Sequence, residues 1–127
     1  MSVVVSPTGT CFSDALELLA KLAVALPAQR QRLTLVHALC RLPEGDVFTH
    51  GWVEWRRDGQ IWCLSDGWLD GERITYQGAR REYYATWHVQ ETTRYRVHEA
   101  AEHNRTTGTM GPWIPRYIAH CKGVSHA

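Results

Sequence analysis

The chain has 127 residues, 44% hydrophobic and 21% charged, and a formal charge of +1 from 14 Lys plus Arg against 13 Asp plus Glu. This describes one compact domain over residues 1 to 127, with room for a single core. The charge balance excludes a global field favouring nucleic acid or an anionic membrane, and the longest apolar stretch, Ala15 to Leu26, carries Glu17 and Lys21, too short and too charged for a span of roughly 20 apolar residues.

The N-terminal segment lacks the cationic start and the apolar run of about 7 to 15 residues that a secretory signal needs, so cytoplasmic residence is the expectation. After the short apolar run Val3 to Val5, Ser6 to Thr10 reads as a turn through Pro7 and Gly9. From Phe12, apolar residues recur at three- and four-residue steps through Leu16, Leu19, Ala23 and Leu26, the period of an amphipathic helix, which Pro27 closes. Cys11 therefore stands at a helix N-terminus. Arg32 to Leu42 is apolar, short and bounded by polar residues, and reads as a strand. Thr49 to Arg56 alternates, with Trp52, Glu54 and Arg56 on one face and Gly51, Val53 and Trp55 on the other. Arg57-Asp58-Gly59 supplies a hairpin turn, Gln60 to Leu64 returns, and Asp66-Gly67 ends that strand. Tyr83 to Val89 is dense in aromatic and branched residues and reads as a further strand. Val97 to Thr107 is a polar helix stopped by Gly108, and Met110 to Pro115 is irregular but packed.

Four cysteines at 11, 40, 63 and 121 form no C-x-x-C pair, so neither a zinc ribbon nor a redox motif is present. Cys40 and Cys63 lie inside apolar runs and read as buried small hydrophobes. His98, Glu102 and His103, with His88, are too poorly spaced on one face for a metal site, and His120, Cys121 and His126 sit in a tail. No metal or other cofactor is implied. Arg80, Arg81, Arg94 and Arg96 among Tyr83, Tyr84 and Trp87 have the composition of a single-strand nucleic-acid strip, but arginines lying over aromatics on an exposed sheet face explain them better.

Cys11, His50 and Asp66 form a second kind of pattern. A helix N-terminus and a neighbouring imidazolium both lower a thiol pKa, and an imidazole needs a carboxylate or amide to orient it. The 16 residues from His50 to Asp66 suffice for a strand, a turn and a return. Each residue alone has an ordinary structural explanation; the order and placement of the three together point to chemistry.

Gly9-Thr10-Cys11 before an apolar helix, the run His50-Gly51-Trp52-Val53-Glu54, and Trp62 four residues before Asp66 resemble the transglutaminase-like branch of the papain-like cysteine-enzyme superfamily. The resemblance covers roughly residues 9 to 66; the second half, with Tyr83-Tyr84 and Gly111-Pro112-Trp113, matches a looser pattern of small bacterial and phage-type proteins. It implies an α+β fold with the nucleophile helix packed on a small antiparallel sheet, and acyl chemistry through a thioester. Cys11 would be nucleophile, His50 general base and acid, and Asp66 the orienting group, with Thr10, Trp52, Glu54 and Trp62 supporting the site. No Gln precedes Cys11, so backbone N–H groups at the helix start would have to hold the oxyanion. The expected function is a cysteine-dependent amide hydrolase or acyl transferase acting on a protein or peptide. The alternative is a non-catalytic protein-binding module that keeps the fold and uses exposed aromatics such as Trp52, Trp55, Trp87 and Trp113.

Overall fold

A computed structural model describes residues 4–5 and 11–125. The first helix, α1 (Cys11–Ala25), buries Phe12, Ala15, Leu18, Leu19 and Ala23, the stripe that its three- and four-residue apolar spacing demands. Pro27 opens a 3-10 turn over Pro27–Arg32, and the chain enters the sheet. The strands are β1 (Val4–Val5), β2 (Leu33–Arg41), β3 (Val47–Arg57), β4 (Gln60–Leu69), β5 (Glu72–Ala79) and β6 (Val89–Arg96). Every pairing is antiparallel, in the order β1-β4-β3-β2-β6 with β5 also on β4. The helices α2 (Arg80–Trp87), α3 (Val97–Thr107) and α4 (Pro115–Ser125) complete an α+β domain with an N-terminal helix on an antiparallel sheet. No helix among the described residues is long and apolar enough to cross a membrane.

Strand β2 lies between β3 and β6 and is covered on both faces, which explains its unbroken apolar run. Leu33 and Leu35 join α1, Val53, Leu64 and Tyr95 on one face; Val36, Ala38 and Cys40 join Trp52, Cys63 and Tyr83 on the other. Cys40 and Cys63 are free and fully buried, as their apolar surroundings predict. The alternation expected across residues 51 to 56 holds, with Gly51 against α1 and Trp52 on the α2 face.

Two expectations are corrected. Asp66-Gly67 does not end β4: both residues stay in the ladder opposite Thr75 and Ile74, and the turn falls at Asp70-Gly71, both at positive φ, as at Asp58-Gly59. The segment Tyr83 to Val89 is not a strand but largely α2. Its period is helical: Tyr83 and Trp87, four residues apart, face the sheet, while Arg80 and Tyr84 converge on one carboxylate. Pro115–Ser125 is helical, and β5 and β6, which their polar composition concealed, complete the sheet.

His37 is a fully buried polar residue of the core. It points from β2 toward α1, 4.7 Å from the ring of Phe12 and 5.1 Å from that of Trp113, and neither ring nitrogen has a partner. Burial, aided by the nearby His103, pushes its pKa down to about 3, and burial alone does the same to His50 on the opposite face. An unfolded imidazole binds a proton below about 6.5, whereas the folded ones stay neutral, so stability is complete above that pH and is lost as pH falls toward 3. Each residue costs about 1.4 kcal/mol per pH unit in that window, or about 4 kcal/mol for both at pH 5, above the carboxylate range. The urea midpoint is expected to fall steeply between about pH 6.5 and pH 5, and by about half as much in His37→Leu. An unchanged midpoint in the wild-type protein contradicts the two neutral buried imidazoles.

Candidate functional site

Strands β3 and β4 pair only as far as Val53 and Leu64, and β1 takes up the edge of β4 beyond that point. Where β3 leaves β4, the start of α1 comes in close: a Cβ on Gly51 would lie 3.1 Å from the Phe12 ring and 3.6 Å from the Cys11 carbonyl oxygen. Gly51 thus lets the Cys11 end of the helix rest on the strand, one residue from His50. Cys11 is 7% exposed.

His50 extends to the other face of the sheet, under α2. Its Nε2 lies 2.7 Å from the Tyr83 hydroxyl, which also meets Ser65 Oγ at 2.5 Å. The ring stacks on Trp87 with centroids 4.3 Å apart, and the residue is 3% exposed. With His50 neutral and the Tyr83 phenol held protonated by burial, this is an uncharged chain: the one phenolic proton serves one bond, and the oxygen accepts in the other. The thiols of Cys63, Cys40 and Cys11 also raise the Tyr83 pKa, which places Cys11 in the electrostatic neighbourhood of the His50 partner.

Asp66 lies elsewhere. Its neighbour Ser65 faces α2, so by the two-residue period of a strand Asp66 faces the α1 side. There its carboxylate accepts from Thr75 at 2.7 Å and from Arg73 at 3.1 Å, and Arg73 in turn reaches Asp14 on α1. His50 is therefore oriented by Tyr83 and Trp87, and Asp66 anchors the β4–β5 hairpin to the helix. Thr10 lies outside the described residues. Trp62 sits opposite Trp55 on the α1 side, where the Arg57 guanidinium covers both rings, at 4.6 Å from Trp55 and 5.5 Å from Trp62.

Glu54 and Trp52 lie on the α2 face and belong to a second polar cluster. The Glu54 carboxylate, 3% exposed, accepts from Arg80 and Arg94 at 2.5 Å each on Oε1, and from Tyr84 at 2.6 Å and Trp52 at 3.2 Å on Oε2. Burial alone would raise its pKa; the bonds from Arg80, Arg94 and Tyr84, with the charge of Arg94, outweigh that and hold it below the ordinary value. Burial and the nearby carboxylate push the Cys63 thiol up, and burial pushes Cys40 up to about 12. Tyr83, Ser65, Arg80 and Arg94 were not among the expected site residues. The pairs Arg80/Tyr84 and Tyr83/Trp87 carry the signal for two of them, Arg80 and Tyr83, because four-residue spacing puts each pair on one helix face.

Removing the Tyr83 hydroxyl strands two buried polar atoms. Tyr83→Phe is expected to cost about 2–4 kcal/mol in chemical denaturation, and adding Ser65→Ala should recover part of that loss, because one of the stranded groups is then gone. Strictly additive effects would mean that the two hydroxyls do not interact. Comparison with known proteins assigns no relative: no family model, no curated protein and no solved structure matches the chain.

Proposed function

We propose that this domain is a non-catalytic binding module, whose Cys11 and His50 serve packing and whose ligand surface is the polar end of the α2 face. The observation that carries this reading is the state of His50. Its Nε2 is engaged by Tyr83, its ring is stacked and nearly inaccessible, and its pKa lies at about 3. Moving a proton to such a base from an ordinary thiol, of pKa about 8.5, is uphill by about 7.5 kcal/mol. The orienting carboxylate of the expected triad is meanwhile bound to Arg73 and Thr75 on the opposite face.

A second reading keeps the expected chemistry and rests on the position of Cys11. It opens α1 with its carbonyl against Gly51, and its thiol acts on the phenol that holds His50. In that reading the α1 and sheet arrangement is the papain-like, transglutaminase-like core. His50 takes the Cys11 proton, the thiolate attacks a peptide or side-chain amide carbonyl, and the oxyanion collapses to a thioester as His50 protonates the departing amine. Tyr83, not Asp66, would orient the imidazole.

Iodoacetamide alkylation, mapped by peptide mass spectrometry against pH, separates the two. The binding-module reading expects Cys11, Cys40 and Cys63 to react slowly in the native protein and together on unfolding. Fast, selective modification of Cys11 near neutral pH that collapses in His50→Ala would overturn it in favour of the enzyme.

A further inference from the structure

We infer that the cleft around Glu54 is a binding site for the phosphate group of a small phosphorylated molecule; this rests on the binding-module reading and names its ligand class. The cleft holds about 190 Å³, and Arg32, Arg56, Arg80, Arg94 and Arg96 line it around the single carboxylate of Glu54. The lining carries five arginines against one carboxylate, a local excess of +4 in a chain whose formal charge is only +1.

The sheet register builds this concentration. Thr34 lies between Glu54 on β3 and Arg96 on β6, and Val36 aligns with Arg94, so β3 and β6, each about 4.8 Å from the β2 strand between them, present arginines on one face. Arg56 stands two residues beyond Glu54 on the same face, and Arg80 descends from α2. Glu54 has no capacity left to neutralise the outer arginines: Oε1 is taken by Arg80 and Arg94, and Oε2 by Tyr84, Trp52 and Cys63. Among the described residues no carboxylate forms an ion pair with Arg32, Arg56 or Arg96, all of which are exposed. Glu99, the nearest acid to Arg96 in sequence, binds its backbone N–H.

Converging guanidinium forks with a carboxylate screened behind two of them suit an anion with several oxygens, which engages more than one fork at once. A single carboxylate group fills only one fork. A nucleic-acid strand needs stacking rings and a basic track, whereas Ile61 is the only apolar residue of the lining and no aromatic ring belongs to it. The observations therefore favour a compact phosphate or diphosphate over a polymer.

The test is calorimetric titration of the full chain with inorganic pyrophosphate, inorganic phosphate and a short oligo-dT at about 50 and about 200 mM salt. Saturable 1:1 binding of pyrophosphate is expected, weakened about tenfold or more in the double variant Arg56→Gln/Arg96→Gln and unchanged in Arg57→Gln, whose guanidinium lies over Trp55 and Trp62. Arg56→Lys/Arg96→Lys, which keeps the charge and loses the forks, should also bind more weakly, so the inference stays testable if the glutamine variant does not fold. Absence of saturable pyrophosphate binding, equal loss in Arg57→Gln, or tighter and steeply salt-dependent binding of oligo-dT would each overturn it. The thiol reactivity of Cys11 is read independently, so failure of the phosphate site and failure of the binding-module reading give different results.

Discussion

Glu54 is a carboxylate in the middle of a β-sheet, and the rest of the α2 face is arranged around the need to keep it charged. A buried carboxylate without partners costs several kcal/mol, so cations must be brought to it, and β3 itself supplies none on that face near enough. Arg94 comes from β6, two strands away, and Arg80 from α2. With their side chains 36% and 37% exposed, these arginines still meet water, which makes their own burial cheap while the acid remains covered. Satisfying Glu54 therefore dictates where α2 lies, and α2 closes the second half of the core.

Once α2 is in place, the consequences run along its length. Arg80 and Tyr84 are spent on Glu54 at one end. One residue before Tyr84, Tyr83 turns down between His50 and Ser65, and Trp87 covers the imidazole. The neutrality of His50 follows from this packing, since a ring sealed under a tryptophan and bonded to a phenol has no water and no anion to stabilise its charged form. The same helix thus produces a cationic, open end and an uncharged, closed end on one sheet face, with Trp52 between them bonded to Glu54.

Much of this was legible in the sequence where a single period governed. The three- and four-residue spacing in α1, the alternation through Trp52 and Val53, and the Asp-Gly turn at residues 58–59 each follow from one local rule. What escaped reading depended on long-range partners. In α2, aromatic density resembles a strand until one knows that Arg80 and Tyr84 share Glu54, 26 and 30 residues away. Asp66-Gly67 has the composition of a turn, but β5 arrives to pair with it and moves the turn to Asp70-Gly71. Trp52 and Glu54, expected beside the thiol, belong instead to a polar cluster with Arg80 and Arg94.

The triad shows why residue order is weaker evidence than strand parity. His50 and Asp66 stand on β3 and β4, strands joined by a tight hairpin, and order alone allows them to meet. Parity does not. Gly51 faces the helix, so its neighbour His50 faces α2; Ser65 faces α2, so its neighbour Asp66 faces the helix. A shift of one residue in either strand would reverse one of them, but the Trp52 and Cys63 side chains in the core and the Asp66 bond to Thr75 fix the register from both faces. Ser65, one position away from the expected acid, occupies the place on the α2 face where an orienting group for His50 would stand, and Tyr83 is the hydroxyl that connects them. The polar residues that meet at His50 are therefore neutral hydrogen-bonding groups, while the charged ones are segregated to Glu54 and to the Asp66–Arg73–Asp14 link. This separation of neutral from charged groups is the physical basis for looking for ligand binding at the arginine cleft and not at the thiol.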